Sequence, residues 1–225
     1  AVENLDNVTD VMPSYFADLV LKSNGNGGNG KVIRVTAAPK SYNNNKTLNT
    51  LNIKEGRLPE KKGEILVEYG SVGSSDYKIG DKVVFGSESG ESNALDMVDT
   101  LEYTVVGKVE SPMYISYQRG STTIGNGNIV AFMYIYQDDF VTERYTEMYV
   151  KTAFSDGDGS AFDDEYEKDI ESFTTVLENT ADLRCEAFDK DVIGKAKQEL
   201  EDSKNDYETE KSEALTKLDD AKTTL

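Results

Sequence analysis

The sequence contains no histidine and a single cysteine, Cys185. The absence of histidine removes the commonest general base and the commonest metal ligand of proteins. A lone cysteine can form neither an internal disulfide nor a cysteine-based zinc site. A nucleophilic cysteine would usually need a histidine partner, so we expect Cys185 to be a small buried residue. The sequence therefore predicts no catalytic residue, no metal ligand and no cofactor.

Long apolar runs and positive charge are also scarce. No stretch approaches the roughly 18 apolar residues of a membrane-spanning helix, and no signal peptide is visible. The 24 basic and 42 acidic residues give a net charge of −18. Binding to nucleic acid or to anionic lipid needs Lys and Arg side chains that neutralise phosphates. The composition therefore argues against both partners and favours solubility or a cationic partner.

Short alternating segments rich in β-branched and aromatic residues run through most of the chain. The segments predicted as strands are 15–22, 31–37, 65–68, 82–85, 101–109, 128–136 and 147–151. The first two flank SNGNGGNG at 23–30, which predicts a hairpin with a long loop. Strands at this spacing, separated by glycine turns, are typical of a compact and mainly antiparallel sheet.

Two segments have helical periodicity instead. Apolar residues recur at near-helical spacing up to Pro13, which predicts a helix over residues 1–12. Apolar residues between 162 and 177 fall on one helical face, which predicts an amphipathic helix of about four turns. We expect this second helix to cover a sheet face and to be capped by Asp158 or Ser160.

The segment 190–225 lacks proline and consists mostly of Lys, Glu, Asp and Ala. A heptad seam runs through it, formed by Ile193, Leu200, Tyr207, Ala214, Leu218, Ala221 and Leu225. The pattern predicts one coiled-coil helix, and we expect it to be a truncated stalk whose partner helix is the chain's own continuation. Lys197, Lys204 and Lys211 occupy companion positions that a dimer would bury, so we expect this chain alone to be monomeric.

Three motifs resemble functional sites, but each lacks a residue or a spacing that the site requires. A partial calcium loop lies at 156–167, with suitable side chains at Asp156, Asp158, Ser160 and Glu167. Ala161 stands where that loop needs glycine, so we interpret the segment as a linker. GSVGSS at 70–75 lacks the spacing of a nucleophile elbow, and GSTTIGNG at 120–127 lacks the lysine of a phosphate loop. We interpret 120–127 as a structural turn.

The aromatic residues suit a half-buried β surface, since there are thirteen tyrosines and no tryptophan. We expect most of them to pack in the core and some to contact a partner. The candidates for partner contacts are Tyr114, Tyr117, Arg119, Tyr134 and Tyr136.

Several motifs, in order, resemble those of FtsX-like, MacB-type ABC transporter permeases. IKEGRLPEKKGEILVEYGSV at 53–72 is similar to a family stretch that leads to a GD turn, here at 78–83. YTVVGKVESPMYIS at 103–116 is similar to the strand and exit that follow. The segment 117–136, with RGSTTIGNG and an aromatic strand, is similar to the Gram-positive form of the domain. A coiled coil follows in those relatives, as it does here after residue 190.

The resemblance implies a MacB-like periplasmic core domain on the extracellular side of the cell membrane, between the first two transmembrane helices of a permease. The implied partners are a cognate cytoplasmic ATPase, a second permease copy or paralogue, and an extracellular peptide or protein. Engagement of substrate or partner would be coupled to ATP-driven motion of the transmembrane helices. The family domain carries no catalytic residue.

We therefore expect an α+β fold with a small mixed sheet, covering helices, a β-rich subdomain and a C-terminal coiled-coil helix. The expected divisions are a mixed body at 1–53 and 146–189, a β-rich subdomain at 54–145, and a stalk at 190–225. The alternative is a cell-surface adhesive or structural protein, whose β domain binds a partner and whose coiled coil is an oligomerising stalk.

Overall fold

A computed structural model describes residues 1–22, 30–39, 48–70, 77–86, 94–142, 144–156 and 164–224. Most of the SNGNGGNG and GSVGSS segments lie outside the described residues, as do Asp158 and Ser160 of the partial calcium loop. Contacts divide the chain into two compact units, Val8–Thr152 and the combination of Ala1–Asn7 with Ala153–Leu225. The domain boundaries expected from the sequence, after residues 53, 145 and 189, stay a prediction.

The unit Val8–Thr152 contains two sheets. Its strands are β1 Val8–Ser14, β2 Phe16–Val20, β3 Val32–Ala37, β4 Asn52–Gly56, β5 Glu64–Glu68, β6 Lys82–Val84, β7 Glu102–Glu110, β8 Ile129–Ile135 and β9 Glu147–Thr152. The seven-stranded sheet has the order β2-β3-β8-β5-β7-β4, with β6 also paired to β7, and β1 pairs with β9 separately. The predicted α+β class with a mixed sheet is confirmed, and each predicted strand is present.

Most neighbouring strands are antiparallel, as expected, and β2 and β3 form the predicted hairpin with Phe16 opposite Thr36. Two neighbouring pairs are parallel, β3 with β8 and β5 with β7. Parallel neighbours require a crossover connection, so the intervening strands pair elsewhere in the sheet. The result is that β5 and β8 lie at the centre, each with a strand on both sides.

Both faces of the sheet are buried, which explains why β5 and β8 are nearly continuous apolar runs. Side chains alternate between the faces along each strand. Val67 and Met133 join the larger apolar cluster, whereas their neighbours Leu66 and Phe132 join the smaller one. The described part of this unit has no α-helix, and a 3₁₀ turn at Leu95–Met97 packs against the larger cluster.

The strands β4 and β7 approach closely where Gly56 pairs with Gly107. Gly56 has a φ of +75°, a left-handed conformation that glycine adopts without strain. A Cβ atom at Gly56 would lie 2.2 Å from the carbonyl oxygen of Val106, and one at Gly107 would lie 2.7 Å from that of Arg57. The close crossing therefore requires glycine on both strands.

The predicted helix over residues 1–12 is wrong. Val2–Asn4 form a 3₁₀ turn, and Val8–Ser14 form β1, in which Pro13 lies opposite Met148 of β9. A strand with one neighbour tolerates proline, because half of its backbone N–H groups need no ladder partner. The apolar residues of this segment have a spacing close to the helical period, but pairing with β9 determines that the segment forms a strand. The sequence also missed β4.

The second unit consists mainly of α1, a helix of 61 residues at Asp164–Thr224. The helix predicted for 190–225 is continuous over its described residues, and it is the same element as the helix predicted for 162–177. Strong helix formers and the absence of proline explain its continuity through Gly194. Near its start, buried Phe173 lies edge-on to Phe154, whereas residues 181–223 are all exposed. Covering of a sheet face by 162–177 stays a prediction.

We predict that Gly56→Ala destabilises the protein far more than Gly70→Ala. The two glycines have nearly equal φ values of +75° and +73°, but a Cβ at Gly70 would meet no atom within 4 Å. Gly70→Ala should cost about 1–2 kcal/mol for the left-handed backbone, and Gly56→Ala about 3 kcal/mol or more, since overpacking adds to it. Urea unfolding measures both. Equal losses of stability would show that the β4–β7 crossing is not tight.

Candidate functional site

Both ends of β5 carry a buried glutamate. Glu64 and Glu68 are 5% and 4% exposed, although β5 lies in the middle of the sheet. A buried carboxylate is costly unless it is both paired and hydrogen-bonded. Each of the two meets one arginine from a connection outside the strand. Sequence reasoning missed this feature, whose only signal is an apolar triplet with an acidic residue on each side.

At the start of β5, Arg57 binds Glu64 through two hydrogen bonds. Its Nη1 and Nη2 atoms donate to Oε2 and Oε1 at 2.8 Å and 2.6 Å, and the backbone N–H of Glu60 donates to Oε2 at 2.9 Å. The hydrogen bonds from Arg57 lower the pKa of Glu64 to about 2. The pair fixes the connection between β4 and β5 against the start of β5.

At the end of β5, Arg119 binds Glu68. Arg119 Nε donates to Oε1 at 3.0 Å, and Nη2 donates to the same oxygen. The backbone N–H of Phe132 donates to Oε2 at 3.3 Å, and Arg119 Nη1 donates to the carbonyl of Ser116. The Arg119 side chain is 10% exposed. Because Arg119 lies between β7 and β8, this pair ties that connection to the centre of the sheet.

Aromatic rings surround the Arg119 guanidinium. The rings of Tyr114 and Phe132 are stacked with centroids 4.3 Å apart, and the guanidinium carbon lies 5.8 Å and 5.7 Å from them. Tyr134 packs edge-on against Phe132, and its hydroxyl lies 2.8 Å from Ser111 Oγ. Burial raises the pKa of Tyr114 to about 12, so its hydroxyl stays neutral at physiological pH. The stack and the ion pair together immobilise Tyr114 and Arg119.

Between these two anchored residues, the chain exposes large apolar side chains. Ile115 is 96% exposed and Tyr117 is 98% exposed. We call residues 115–117 the β7–β8 tip. Exposed apolar side chains on a loop that a rigid scaffold positions are a common basis for binding. The tip is therefore the candidate contact surface of this unit.

The structure separates the residues that the sequence suggested as partner contacts. Tyr117 lies in the β7–β8 tip. The others are buried or half-buried: Tyr114, Arg119, Tyr134 and Tyr136. Contact of any of them with a partner stays a prediction. Ile115 was missed because a single isoleucine in a loop carries no periodic signal.

The seam of the expected coiled coil lies along α1. Its described positions are all exposed: Ile193, Leu200, Tyr207, Ala214, Leu218 and Ala221. Leu225 lies outside the described residues. Lys211 reaches Glu208 at 3.4 Å and lies 5.8 Å from the ring of Tyr207, so the helix itself provides partners for this charge. Pairing of the seam with another helix stays a prediction.

The expected burial of Cys185 is wrong, because this residue is exposed on α1. The residues around it, 181–190, are exposed as well, so nothing in this stretch of helix covers the thiol. In the described ranges, His, Cys, Asp and Glu side chains form no group of three that could hold a metal ion. Of the helices that the structure describes, none has a stretch long and apolar enough to cross a membrane.

Asp139 is a third buried carboxylate near β5. It is 0% exposed and has no arginine partner among the described ion pairs. The backbone N–H of Gly63 donates to both of its carboxylate oxygens at 3.2 Å. Burial raises the pKa of Asp139 to about 6, although the Gly63 N–H and Lys62 act in the opposite direction.

Three of the motifs that carry the family resemblance meet on three residues of β7, Val105–Gly107. The N–H of Arg57 donates to the carbonyl of Val106 at 3.1 Å. In the GD turn, Gly80 N–H donates to the carbonyl of Val105 at 2.8 Å, and Val105 N–H donates to the carbonyl of Asp81 at 2.9 Å. The three motifs are distant in sequence and form one hydrogen-bonded unit.

Comparison with known proteins gives a distant similarity. The chain is similar to the crystal structure of the extracellular domain of YknZ, a noncanonical ABC-type transporter from Gram-positive bacteria. The two are 15% identical with a TM-score of 0.40, over 69% of this chain and 71% of that one. The sequence matches no protein-family model and no curated protein.

We predict that Asp139→Asn gains stability relative to the wild type as pH rises. The pKa of Asp139 is raised in the folded protein from 3.8 to about 6, so its ionisation between these values disfavours folding. Asparagine keeps an acceptor for Gly63 and cannot ionise. The difference in unfolding free energy should shift towards the variant by on the order of 2–3 kcal/mol between pH 4 and pH 7.5.

Urea unfolding at both pH values tests this, with Asp96→Asn, at an exposed position of the same unit, as the control. The control should show no such shift. A constant difference between Asp139→Asn and the wild type would show that the Asp139 carboxylate is not destabilised by burial.

Proposed function

We propose that this chain is the extracytoplasmic domain of an ABC transporter permease of the FtsX-like, MacB-type family. The observation that carries the proposal is the convergence of the EGR, GD and VVG motifs on Val105–Gly107. Here Gly56, Gly107 and the Gly80–Asp81 turn have structural roles in one place, which supports a shared structural origin.

In this proposal, the domain engages an extracellular peptide or protein, or the transported substrate, outside the membrane. The β7–β8 tip is the proposed contact surface, because Ile115 and Tyr117 are exposed between anchored residues. The chain's net charge of −18 favours a partner with basic groups. A cognate ATPase in the cytoplasm and a second permease copy or paralogue complete the proposed assembly.

The helix α1 is the proposed mechanical element. A continuous helix of 61 residues extends over about 90 Å at 1.5 Å per residue. Such an element can transmit motion between transmembrane helices and a distant contact surface. We propose that its exposed seam, from Ile193 to Ala221, packs against a second helix of the same permease. The lysines at the companion positions favour an acidic partner over a parallel copy of α1.

The alternative is a cell-surface adhesive protein in which α1 is an oligomerising stalk. The exposed heptad seam favours this alternative as much as it favours the permease. The two proposals differ in what else they require, because only the permease needs a cytoplasmic ATPase.

We predict that Cys185 reacts with a membrane-impermeant maleimide on intact cells that produce the full-length protein. The thiol is exposed, and it is the one cysteine of this chain, so labelling reports the side of the membrane on which α1 lies. Cys185→Ser is the matched control and should lose the label. Labelling that appears only after the cells are broken would place the domain in the cytoplasm and contradict the proposal.

The same labelled protein distinguishes the permease from the adhesive protein. Solubilised in mild detergent, a permease should co-purify with a vanadate-sensitive ATPase activity. Surface labelling without any co-purified ATPase activity would favour the adhesive protein.

A further inference from the structure

A cavity of about 260 Å³ lies within the unit Val8–Thr152, between β1, β9 and the ends of β3 and β8. Its walls are mainly apolar. They include Met12, Ala37, Met113, Tyr134 and Tyr149. The volume exceeds the roughly 150 Å³ of an engineered apolar cavity that accepts benzene. The space therefore fits a group somewhat larger than benzene, such as a branched or aromatic side chain together with an adjoining amide.

One polar group on the wall has no hydrogen-bond partner among the described residues. It is the buried side-chain Nδ2 of Asn49. Asn49 also has a φ of +54°, so a left-handed backbone conformation holds this side chain at the cavity. A buried donor without an acceptor lowers the stability of the folded protein. Such a cost at a cavity wall is removed when a ligand supplies the acceptor.

Of the tyrosine hydroxyls on the wall, that of Tyr134 lies 2.8 Å from Ser111 Oγ. None of the described residues that line the cavity carries a charge. A carboxylate or phosphate group would therefore lose its hydration without a cation to replace it. A neutral carbonyl is the acceptor that fits.

We infer that this cavity binds an apolar side chain next to a neutral amide carbonyl, the chemistry of an internal peptide residue such as leucine or phenylalanine. The apolar side chain fills the space between Met12 and Met113, and Asn49 Nδ2 donates to the carbonyl oxygen. Neither element depends on the transport role, because the cavity and the unpaired donor are properties of the β unit itself.

The methionine methyl groups provide the readout. The chain has five methionines, of which Met12 and Met113 line the cavity and Met97, Met133 and Met148 do not. The whole chain is labelled with ¹³C at the methionine methyl groups and titrated with N-acetyl-L-leucine methylamide. We expect the Met12 and Met113 signals to shift with a millimolar Kd, while the other three stay in place. N-acetylglycine methylamide, which lacks the apolar group, should produce no shift.

Asn49→Asp tests the hydrogen bond. Aspartate has the same shape and tolerates the left-handed backbone, but it presents an acceptor in place of the donor. The affinity for N-acetyl-L-leucine methylamide should fall about tenfold, which corresponds to one lost hydrogen bond. Unchanged Met97 and Met133 signals in the variant verify that it is folded.

Free leucine distinguishes a peptide residue from a free amino acid. It has the same side chain but carries two charges, and we expect no shift with it. The inference is overturned if the Met12 and Met113 signals do not respond to the capped leucine, if all five methionines respond alike, or if Asn49→Asp binds as well as the wild type. Binding of free leucine with equal affinity would overturn the requirement for a neutral amide.

Discussion

The buried glutamates at the two ends of β5 are the constraint on which the rest of this structure depends. A carboxylate in the interior of a sheet is tolerated only when a cation and further hydrogen bonds accompany it. Glu64 obtains Arg57 from the connection after β4, and Glu68 obtains Arg119 from the connection between β7 and β8. Each connection is therefore held to β5 by an ion pair. Removing one partner of the pair would leave an unpaired buried charge on the other.

The consequences differ at the two ends. At Glu64, the arginine follows the tight β4–β7 crossing at Gly56, so the pair stabilises the unit in which the family-like motifs meet. At Glu68, the partner is Arg119 in the long connection between β7 and β8, and its guanidinium lies near the stacked rings of Tyr114 and Phe132. Between Tyr114 and Arg119, the Ser116 carbonyl accepts a hydrogen bond from Arg119, and the side chains of Ile115 and Tyr117 face solvent. The ion pair thus fixes the connection whose tip is exposed.

Local features of this fold were predictable from the sequence, and long-range ones were not. Alternation identified β2 and β3, and short runs of β-branched and aromatic residues identified β5–β9, because both signals lie within a few residues. Residues 8–12 of β1 were misread as part of a helix over 1–12, since the pairing of β1 with β9 depends on residues more than 130 positions away along the chain. Glu68 and Arg119 are 51 residues apart, so no spacing rule connects them. Cys185 was expected inside because cysteine is usually buried, but the exposed middle of a long helix overrides that tendency.

Hydrogen exchange of residues 113–119 tests whether the Glu68–Arg119 pair holds the β7–β8 connection in place. The double variant Glu68→Gln/Arg119→Met removes the pair without leaving an unpaired buried charge. Exchange of residues 113–119 should accelerate about tenfold or more in this variant, while β7 and β8 stay protected. The matched double variant at the other end of β5, Arg57→Met/Glu64→Gln, should leave residues 113–119 unchanged. Equal exchange of these residues in the wild type and in both variants would show that the Glu68–Arg119 pair does not hold the connection.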